Sequence, residues 1–476
     1  MFKIDGLREE CGIIGIYHNN DKTSKAAARA YAGLMALQHR GQEACGIAVN
    51  LDKEIQYHKR EGLVGEVFDE YTLDLLKGNM AVGHVRYSTC GTKNGAIDSS
   101  INAQPLVLNY LKGQLAISHN GNITNLDELR AEYEENGAIY QTSSDTEIIA
   151  QTIARKRRKA GSIQQAVVEA MKVLKGAYSM IIMSPDKITV ARDPYGFRPL
   201  CMGKREDDGA IVFASETCAL DALGAKFIRE IEPGEVLYIK NGEEPKTHHI
   251  LNTVGKNERT LCVFEHIYFA RPDSIISGQF VNEARRLTGE LLAKKEQFLK
   301  PSDDTIVIGV PDSGIPSALG YAFASGIKYQ EGFGKNRYAG RTFIKPDQMS
   351  REAAVRLKLN PMREYISGKK VVIIDDSIVR GTTMKIIVKL LRDAGAAEVH
   401  VRISSPPFLH PCYFGTDVSN REQLISHGST IEEVKVKINA DSLAFLELED
   451  LEKIGPNSNI GFCYACFTGK HPVLES

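Results

Sequence analysis

Cys11 heads an apolar run, Cys11-Gly12-Ile13-Ile14-Gly15-Ile16. A thiol there means little alone, since buried cysteine is common. Four polar clusters give it company: His39-Arg40-Gly41-Gln42-Glu43, Gly83-His84-Val85-Arg86-Tyr87-Ser88-Thr89, Ser118-His119-Asn120-Gly121-Asn122 and Thr142-Ser143-Ser144-Asp145-Thr146-Glu147. Together they hold the groups that hydrolysis of a glutamine amide needs. A guanidinium grips an α-carboxylate through two parallel hydrogen bonds, and a carboxylate holds an α-ammonium. An asparagine amide beside a glycine N–H makes an oxyanion hole, because glycine lets the backbone come close. Cys45, Cys90, Cys201 and Cys218 have no such setting and read as structural thiols.

The second constellation is Val371-Val372-Ile373-Ile374-Asp375-Asp376-Ser377-Ile378-Val379-Arg380-Gly381-Thr382-Thr383. Four apolar residues predict a buried strand with two acids at its carboxyl end, where open α/β sheets bind ligands. Adjacent side chains diverge there, so two acids can serve two groups, such as ribose hydroxyls and Mg²⁺-bound water. Gly381, Thr382 and Thr383 then open a helix whose unpaired N–H groups suit a phosphate. A third group is metal-like. Cys463-Tyr464-Ala465-Cys466 is a C-x-x-C, and Cys262 and Cys412 bring the far half to four cysteines, the count for structural Zn²⁺ or for [4Fe–4S].

The elements that must position these groups fall into two halves. Residues 24–37 are alanine-rich at helical spacing, with Gly41 as a stop. Apolar runs at 46–49, 80–82, 115–117, 180–183 and 210–213 predict buried strands, and Asn125 with Glu128 predicts a capping box for a helix through Glu135. Clustered strands and clustered helices predict a layered α+β half. Polar residues 241–259 carry the boundary. Beyond them, strands at 305–310, 370–374 and 398–403 alternate with helices from Ile315 and over 382–393, capped at Gly395. That alternation predicts a parallel sheet with right-handed crossovers.

Composition narrows the field. Hydrophobic residues at 43% with 25% charged are globular values that exclude a disordered chain. Lys+Arg 59 against Asp+Glu 60 leaves no basic field for nucleic acid or an anionic membrane, and no apolar stretch reaches the ~20 residues of a membrane span. Residues 1–10 carry five charges and no apolar core, so they are no secretory signal, which points to the cytoplasm. At 476 residues, nine cysteines argue for free thiols, metal ligands or catalysis over a disulfide framework.

Residues 371–383 resemble the phosphoribosyl-diphosphate signature of type I phosphoribosyltransferases. The resemblance implies that Asp375 and Asp376 hold the ribose and its Mg²⁺, while Ser377, Arg380, Gly381, Thr382 and Thr383 cradle the 5′-phosphate. Val310-Pro311-Asp312-Ser313-Gly314 fits as a second place for Mg²⁺ or diphosphate, through Ser313. The basic stretch from Lys335 through Arg337 to Arg341 fits a lid over the diphosphate leaving group. The four clusters around Cys11 resemble the N-terminal-nucleophile glutamine amidotransferases, an αββα sandwich fold. Carried over, Arg86 binds the substrate carboxylate, Asp145 its α-amine, and Asn120 with Gly121 forms the oxyanion hole. The nucleophile of that family must be residue one, because its own α-amine is the general base, with a reference pKa of ~7.7–8.0. Residues 1–10 are therefore expected to be a propeptide.

With Phe269-Ala270-Arg271-Pro272-Asp273-Ser274 and Ser404-Ser405-Pro406-Pro407 also in register, the whole span from Cys11 to about Lys470 resembles the amidophosphoribosyltransferase family. The match is to its propeptide-bearing, [4Fe–4S]-containing type. It implies a propeptide 1–10, an amidotransferase domain 11–250, a phosphoribosyltransferase domain 251–450 and a tail 451–476 with two cluster ligands. One Mg²⁺ and one [4Fe–4S] cluster per subunit are implied, the latter on Cys262, Cys412, Cys463 and Cys466. So are a homotetramer and feedback by purine nucleotides. Two rivals meet specific objections. A glutamine-dependent aminotransferase that isomerises a sugar phosphate has no use for the 375–383 signature. A regulator that senses phosphoribosyl diphosphate would need a DNA-binding module, and has no use for Cys11, Asn120 and Asp145.

Overall fold

The computed structural model describes residues 11–19, 26–51, 53–87, 100–240, 242–296, 299–336, 351–416 and 420–473. The first half holds two antiparallel sheets. One has seven strands in the order Ala225–Glu230, Cys201–Arg205, Ile211–Ala214, Gly12–Tyr17, Met80–Arg86, Ala44–Leu51, Glu54–Glu61. The other has six: Lys246–Ile250, Glu235–Lys240, Lys187–Arg192, Gly176–Ser184, Gly113–Ile123, Leu106–Tyr110. Ile13, Val82 and Phe213 of the first sheet pack against Ile181, Val190 and Leu237 of the second. Helices Ala26–Ala36 and Thr217–Ala222 cover the first sheet's outer face, and Asp145–Arg157 with Ile163–Met171 cover the second's. The result is the expected four-layer αββα sandwich. Both faces of both sheets are covered, so central strands such as Gly176–Ser184 are buried at every position. The edge strand Glu54–Glu61 is polar and largely exposed, which protects that edge from pairing with another chain.

Asn125 corrects one expectation. The helix Leu126–Glu135 forms, but Asn125 makes no side-chain cap. Its Nδ2 donates to Val173 O and its Oδ1 accepts from Lys175 N, so the amide ties this loop to the turn before Gly176–Ser184. A long-range pair of bonds has won over the local cap.

The second half is a five-stranded sheet, all parallel, in the order Lys328–Tyr329, Thr305–Gly309, Lys370–Asp375, Glu398–Ile403, Ser442–Phe445. Its central strand sends alternate side chains to opposite faces. Val372 and Ile374 meet the core under helices Val281–Lys294 and Gly314–Ser325; Val371 and Ile373 meet that under Thr382–Asp393. The strand Thr260–Cys262, just past the sandwich, pairs in parallel with Gly461–Cys463 of the tail, so the two ends of this half are tied together. Between the halves, Phe197 stacks on Phe414 at 4.5 Å, Arg198 donates to Phe414 O at 2.6 Å, and Asn122 Nδ2 donates to Tyr413 O at 2.8 Å. No helix among the described residues is long and apolar enough to cross a membrane.

Candidate functional site

The site around Cys11 forms where strand ends of the two sheets meet. Cys11 directly precedes Gly12–Tyr17, and Arg86 ends the neighbouring strand. Asn120 and Gly121 lie in the other sheet, on Gly113–Ile123, and Asp145 opens the helix that packs behind it. Ser144 caps that helix by accepting from Thr146 N at 3.2 Å, which fixes Asp145 in its first turn. A cleft results, lined by Cys11, Arg86, Tyr87, Gln104, His119, Gly121, Ser144 and Asp145.

Its electrostatics favour an amino-acid ligand. Cys11 Sγ lies 3.5 Å from the donating Tyr87 N and 3.6 Å from Tyr87 O. Arg86 is 7% exposed, and its Nη1 has no hydrogen-bond partner among the described residues; its nearest acid is Glu43, at 3.9 Å. Asn120 is 1% exposed and its Nδ2 likewise lacks a partner. Buried donors are rarely left without a hydrogen bond, so Arg86 Nη1 in the cleft lining marks where an acceptor belongs. Gly121 has φ +137°, and a Cβ there would sit 2.0 Å from Ala177 O, so only glycine can hold this stretch. Burial pushes the Asp145 carboxyl up. The His119 ring and the N–H groups of Ile123 and Thr146 outweigh that and hold it below its ordinary value, so it stays an anion.

Sequence reasoning missed Gln104. Its Nε2 donates to Thr146 Oγ1 at 2.9 Å and its Oε1 accepts from His119 N at 2.8 Å, which braces the strand Gly113–Ile123 against the Asp145 helix. No spacing or neighbour marks this glutamine; only the folded pairing does.

At the far sheet, Asp375 ends its strand and Asp376 follows, 9% and 7% exposed. Ser313 Oγ donates to one oxygen of Asp376 and Ser377 Oγ to the other, while Asp376 N donates to Asp375 Oδ1 at 2.9 Å. The fold thus brings 310–314 and 371–383 together. Burial, with the Asp376 charge behind it, raises Asp375 well above the usual carboxylate range, and burial raises Asp376 too. Such a pair favours a cationic partner. Gly381 takes φ +78° at the N-cap of Thr382–Asp393, and Arg380 donates to Gln423 Oε1. Lys335 forms an ion pair with Asp312. Arg337 and Arg341 of the expected lid, residues 1–10 and Cys90 lie outside the described residues.

The four far-half cysteines also converge. Cys262 and Cys463 are register partners on paired strands. Leu409 and His410 donate to Cys466 O, and Phe414 N donates to Cys412 Sγ at 3.4 Å. Burial raises the Cys466 thiol well above its ordinary value, and Cys412, Cys262 and Cys463 raise it further. Yet among the described residues no three His, Cys, Asp or Glu side chains are close enough to hold a single metal ion.

Known proteins share both halves. Residues 89–222 match the glutamine amidotransferase domain family, and residues 277–404 match the phosphoribosyl transferase domain family. Amidophosphoribosyltransferase 2, chloroplastic, of Arabidopsis thaliana is 48% identical over 468 residues, 98% of this chain and 80% of that protein. A solved allosteric regulatory enzyme of purine biosynthesis is 45% identical with a TM-score of 0.86, covering 97% of this chain and 96% of its own. Glutamine phosphoribosylpyrophosphate amidotransferase from Bacillus subtilis, solved with ADP and GMP, is 45% identical with a TM-score of 0.85 and 97% coverage of both chains. Two reaction sites of matching chemistry and likeness over nearly the whole length lead to one conclusion: the chain belongs to the amidophosphoribosyltransferase family, the glutamine-dependent pentosyltransferases of purine biosynthesis.

Proposed function

We propose that Cys11, freed of residues 1–10, is the nucleophile that supplies ammonia to phosphoribosyl diphosphate held at Asp375 and Asp376. The observation that carries this reading is the cleft that gathers Cys11, Arg86, Gly121 and Asp145, with two buried donors in these segments, Arg86 Nη1 and Asn120 Nδ2, that have no hydrogen-bond partner among the described residues. Arg86 takes the α-carboxylate of glutamine and Asp145 its α-ammonium. The free α-amine of Cys11 accepts the thiol proton, and Sγ attacks the amide carbon. Asn120 Nδ2 and Gly121 N–H hold the oxyanion. As the C–N bond breaks, the α-ammonium returns its proton to the leaving ammonia, and water then cleaves the thioester to glutamate.

Ammonia next attacks the anomeric carbon of phosphoribosyl diphosphate as the bond to pyrophosphate breaks, giving 5-phosphoribosylamine with inverted configuration. Ser377, Arg380, Gly381, Thr382 and Thr383 hold the 5′-phosphate; Lys335, Arg337 and Arg341 receive the departing pyrophosphate. Ser313, Asp375 and Asp376 fit a Mg²⁺ ion, which needs few protein oxygens when substrate supplies the rest. When bound, it would neutralise charge on the diphosphate. The acid pair's raised proton affinity supports that fit.

Cys262, Cys412, Cys463 and Cys466 fit a [4Fe–4S] cluster. Cys412, Cys262 and Cys463 all lie near enough to raise the Cys466 thiol, and four thiols are the ligand count of such a cluster. None of the four lines the glutamine cleft and neither reaction moves electrons, so the group would staple the tail to the strand Thr260–Cys262. The ADP and GMP on the B. subtilis relative support feedback by purine nucleotides here. A homotetramer in the cytoplasm completes the proposal.

The test joins an intact mass and a visible spectrum of anaerobically purified protein to the variant Cys11→Ala. Wild-type protein should start at Cys11 and absorb in the visible. Cys11→Ala should keep residues 1–10 and lose glutamine-dependent synthesis, with ammonia-dependent synthesis intact. Full glutaminase activity in a chain still starting at Met1 would refute the nucleophile, and colourless, fully active anaerobic protein would refute the cluster.

A further inference from the structure

Charges at the boundary between the halves are sealed inside it. The side chains of Arg40, Arg198 and Glu216 from the sandwich, and of Glu265 from beyond it, have no solvent exposure. Arg40 Nη1 and Nη2 donate to the two carboxylate oxygens of Glu265 at 2.9 and 2.8 Å. Nη1 also donates to Glu216 Oε1 at 2.7 Å. The remaining edge of the guanidinium points at the nucleophile: Arg40 Nε donates to the carbonyl of Cys11 at 3.1 Å. Arg198 Nη1 reaches Glu265 Oε1 at 3.4 Å, and His39 Nε2 lies 2.8 Å from Glu216 Oε1, so the two carboxylates face two guanidiniums and an imidazole.

A buried ion network is not needed for adhesion, since apolar side chains of similar size serve as well or better. What the network provides is direction. A guanidinium is planar, and one gripped by two carboxylates has no freedom left to turn. Whatever its third edge donates to is held in place. Here that is the main chain of the residue whose Sγ must face Asn120 and Gly121, and placement errors of about 1 Å cost on the order of 100-fold in rate.

Glu265 opens a five-residue π-helical turn, Glu265–Phe269, a rare geometry that accumulates at functional sites. The turn lies outside the sandwich that holds every residue lining the cleft. We propose that Glu265 is a positioning residue for glutamine hydrolysis: acting through Arg40, it holds the Cys11 main chain in the attacking position. The amidotransferase half is then incomplete by itself, because one support of its nucleophile is carried by the other half. This rests on Cys11 being the nucleophile.

The test uses the full chain with Glu265→Gln, which keeps the shape and removes the charge. With Arg86 and Asp145 untouched, kcat for glutamine hydrolysis should fall about 10- to 100-fold while KM stays within about twofold. Inactivation by a glutamine-analogue halomethyl ketone, which needs the aligned thiol, should slow in step with kcat, and alkylation by iodoacetamide should not. Arg40→Lys, lacking the fork, should reproduce that split. Unchanged kcat would overturn the proposal. So would equal losses in glutamine-dependent and ammonia-dependent synthesis, which mean general unfolding. If Glu265→Gln does not accumulate as folded protein, Glu265→Asp is judged by the same criteria. Failure of the halomethyl ketone to label Cys11 in wild-type protein would instead refute the nucleophile itself.

Discussion

On the glutamine side, the buried polar atoms without a hydrogen-bond partner among the described residues include two donors, Arg86 Nη1 and Asn120 Nδ2, set in a sandwich whose strands are paired on both flanks. On the phosphoribosyl side, the groups under strain are acids, Asp375 and Asp376, at the open end of a parallel sheet. In the proposed function the first site is a finished mould for an anion that appears during reaction, and the second is an unbalanced charge that substrate and cation complete. Electrostatic preorganisation is expensive to lose where it is already in place, and ligand-completed sites depend on what is added.

Breaking the mould should therefore have the largest effect. Asn120→Ala removes one oxyanion donor and should lower kcat for glutamine hydrolysis by about 10²–10³. KM should hold, because Arg86 and Asp145 do the binding; a rise in KM with kcat unchanged would move Asn120 from oxyanion stabiliser to substrate binder. Asp376→Asn and Asp375→Asn should each lower synthesis about 100-fold with glutamine or ammonia alike, while basal glutamine hydrolysis persists. Wild-type synthesis in both variants would leave the acid pair without a role.

The smallest effect sharpens the comparison through pH. His84 is fully buried, its Nε2 donates to His119 O at 3.1 Å, and burial pushes it down to about 3. The unfolded chain takes up that proton near 6.5, so between these values the unfolded state binds more protons than the native one. Stability is full above about 6.5 and falls as pH drops below it, by up to ~1.4 kcal/mol per pH unit from this group. Denaturant unfolding at pH 7.5, 6.5 and 5.5 should show that slope, and His84→Gln should flatten it. An unchanged slope in the variant would mean that other groups carry the acid sensitivity.

How much of this was legible in the sequence follows from the range of the interactions. Strand Lys370–Asp375 and helix Thr382–Asp393 match expectation almost residue for residue, because a buried parallel strand is a continuous apolar run and its helix starts at a glycine. Glu54–Glu61 and Lys246–Ile250 went unread because edge strands facing water carry no apolar signal. Arg86, Asn120 and Asp145 could be read because each sits in a polar cluster, and Cys11 because it heads an apolar run in their company. Gln104, Glu216 and Glu265 could not. Glu265 lies 225 residues from the arginine it pairs with, and nothing local distinguishes it from a surface acid.

The central claim is that the two sites work as one, with ammonia released at Cys11 consumed at Asp375–Asp376 before it meets bulk water. The direct measurement supplies glutamine labelled with ¹⁵N in its amide, together with excess unlabelled ammonium, and reads the isotope in 5-phosphoribosylamine trapped as it forms. At near-neutral pH the account predicts product nitrogen that is predominantly ¹⁵N, whatever the ammonium excess. Label diluted to the ratio of the bulk pool would contradict it, and would reduce the chain to two enzymes that merely share a backbone.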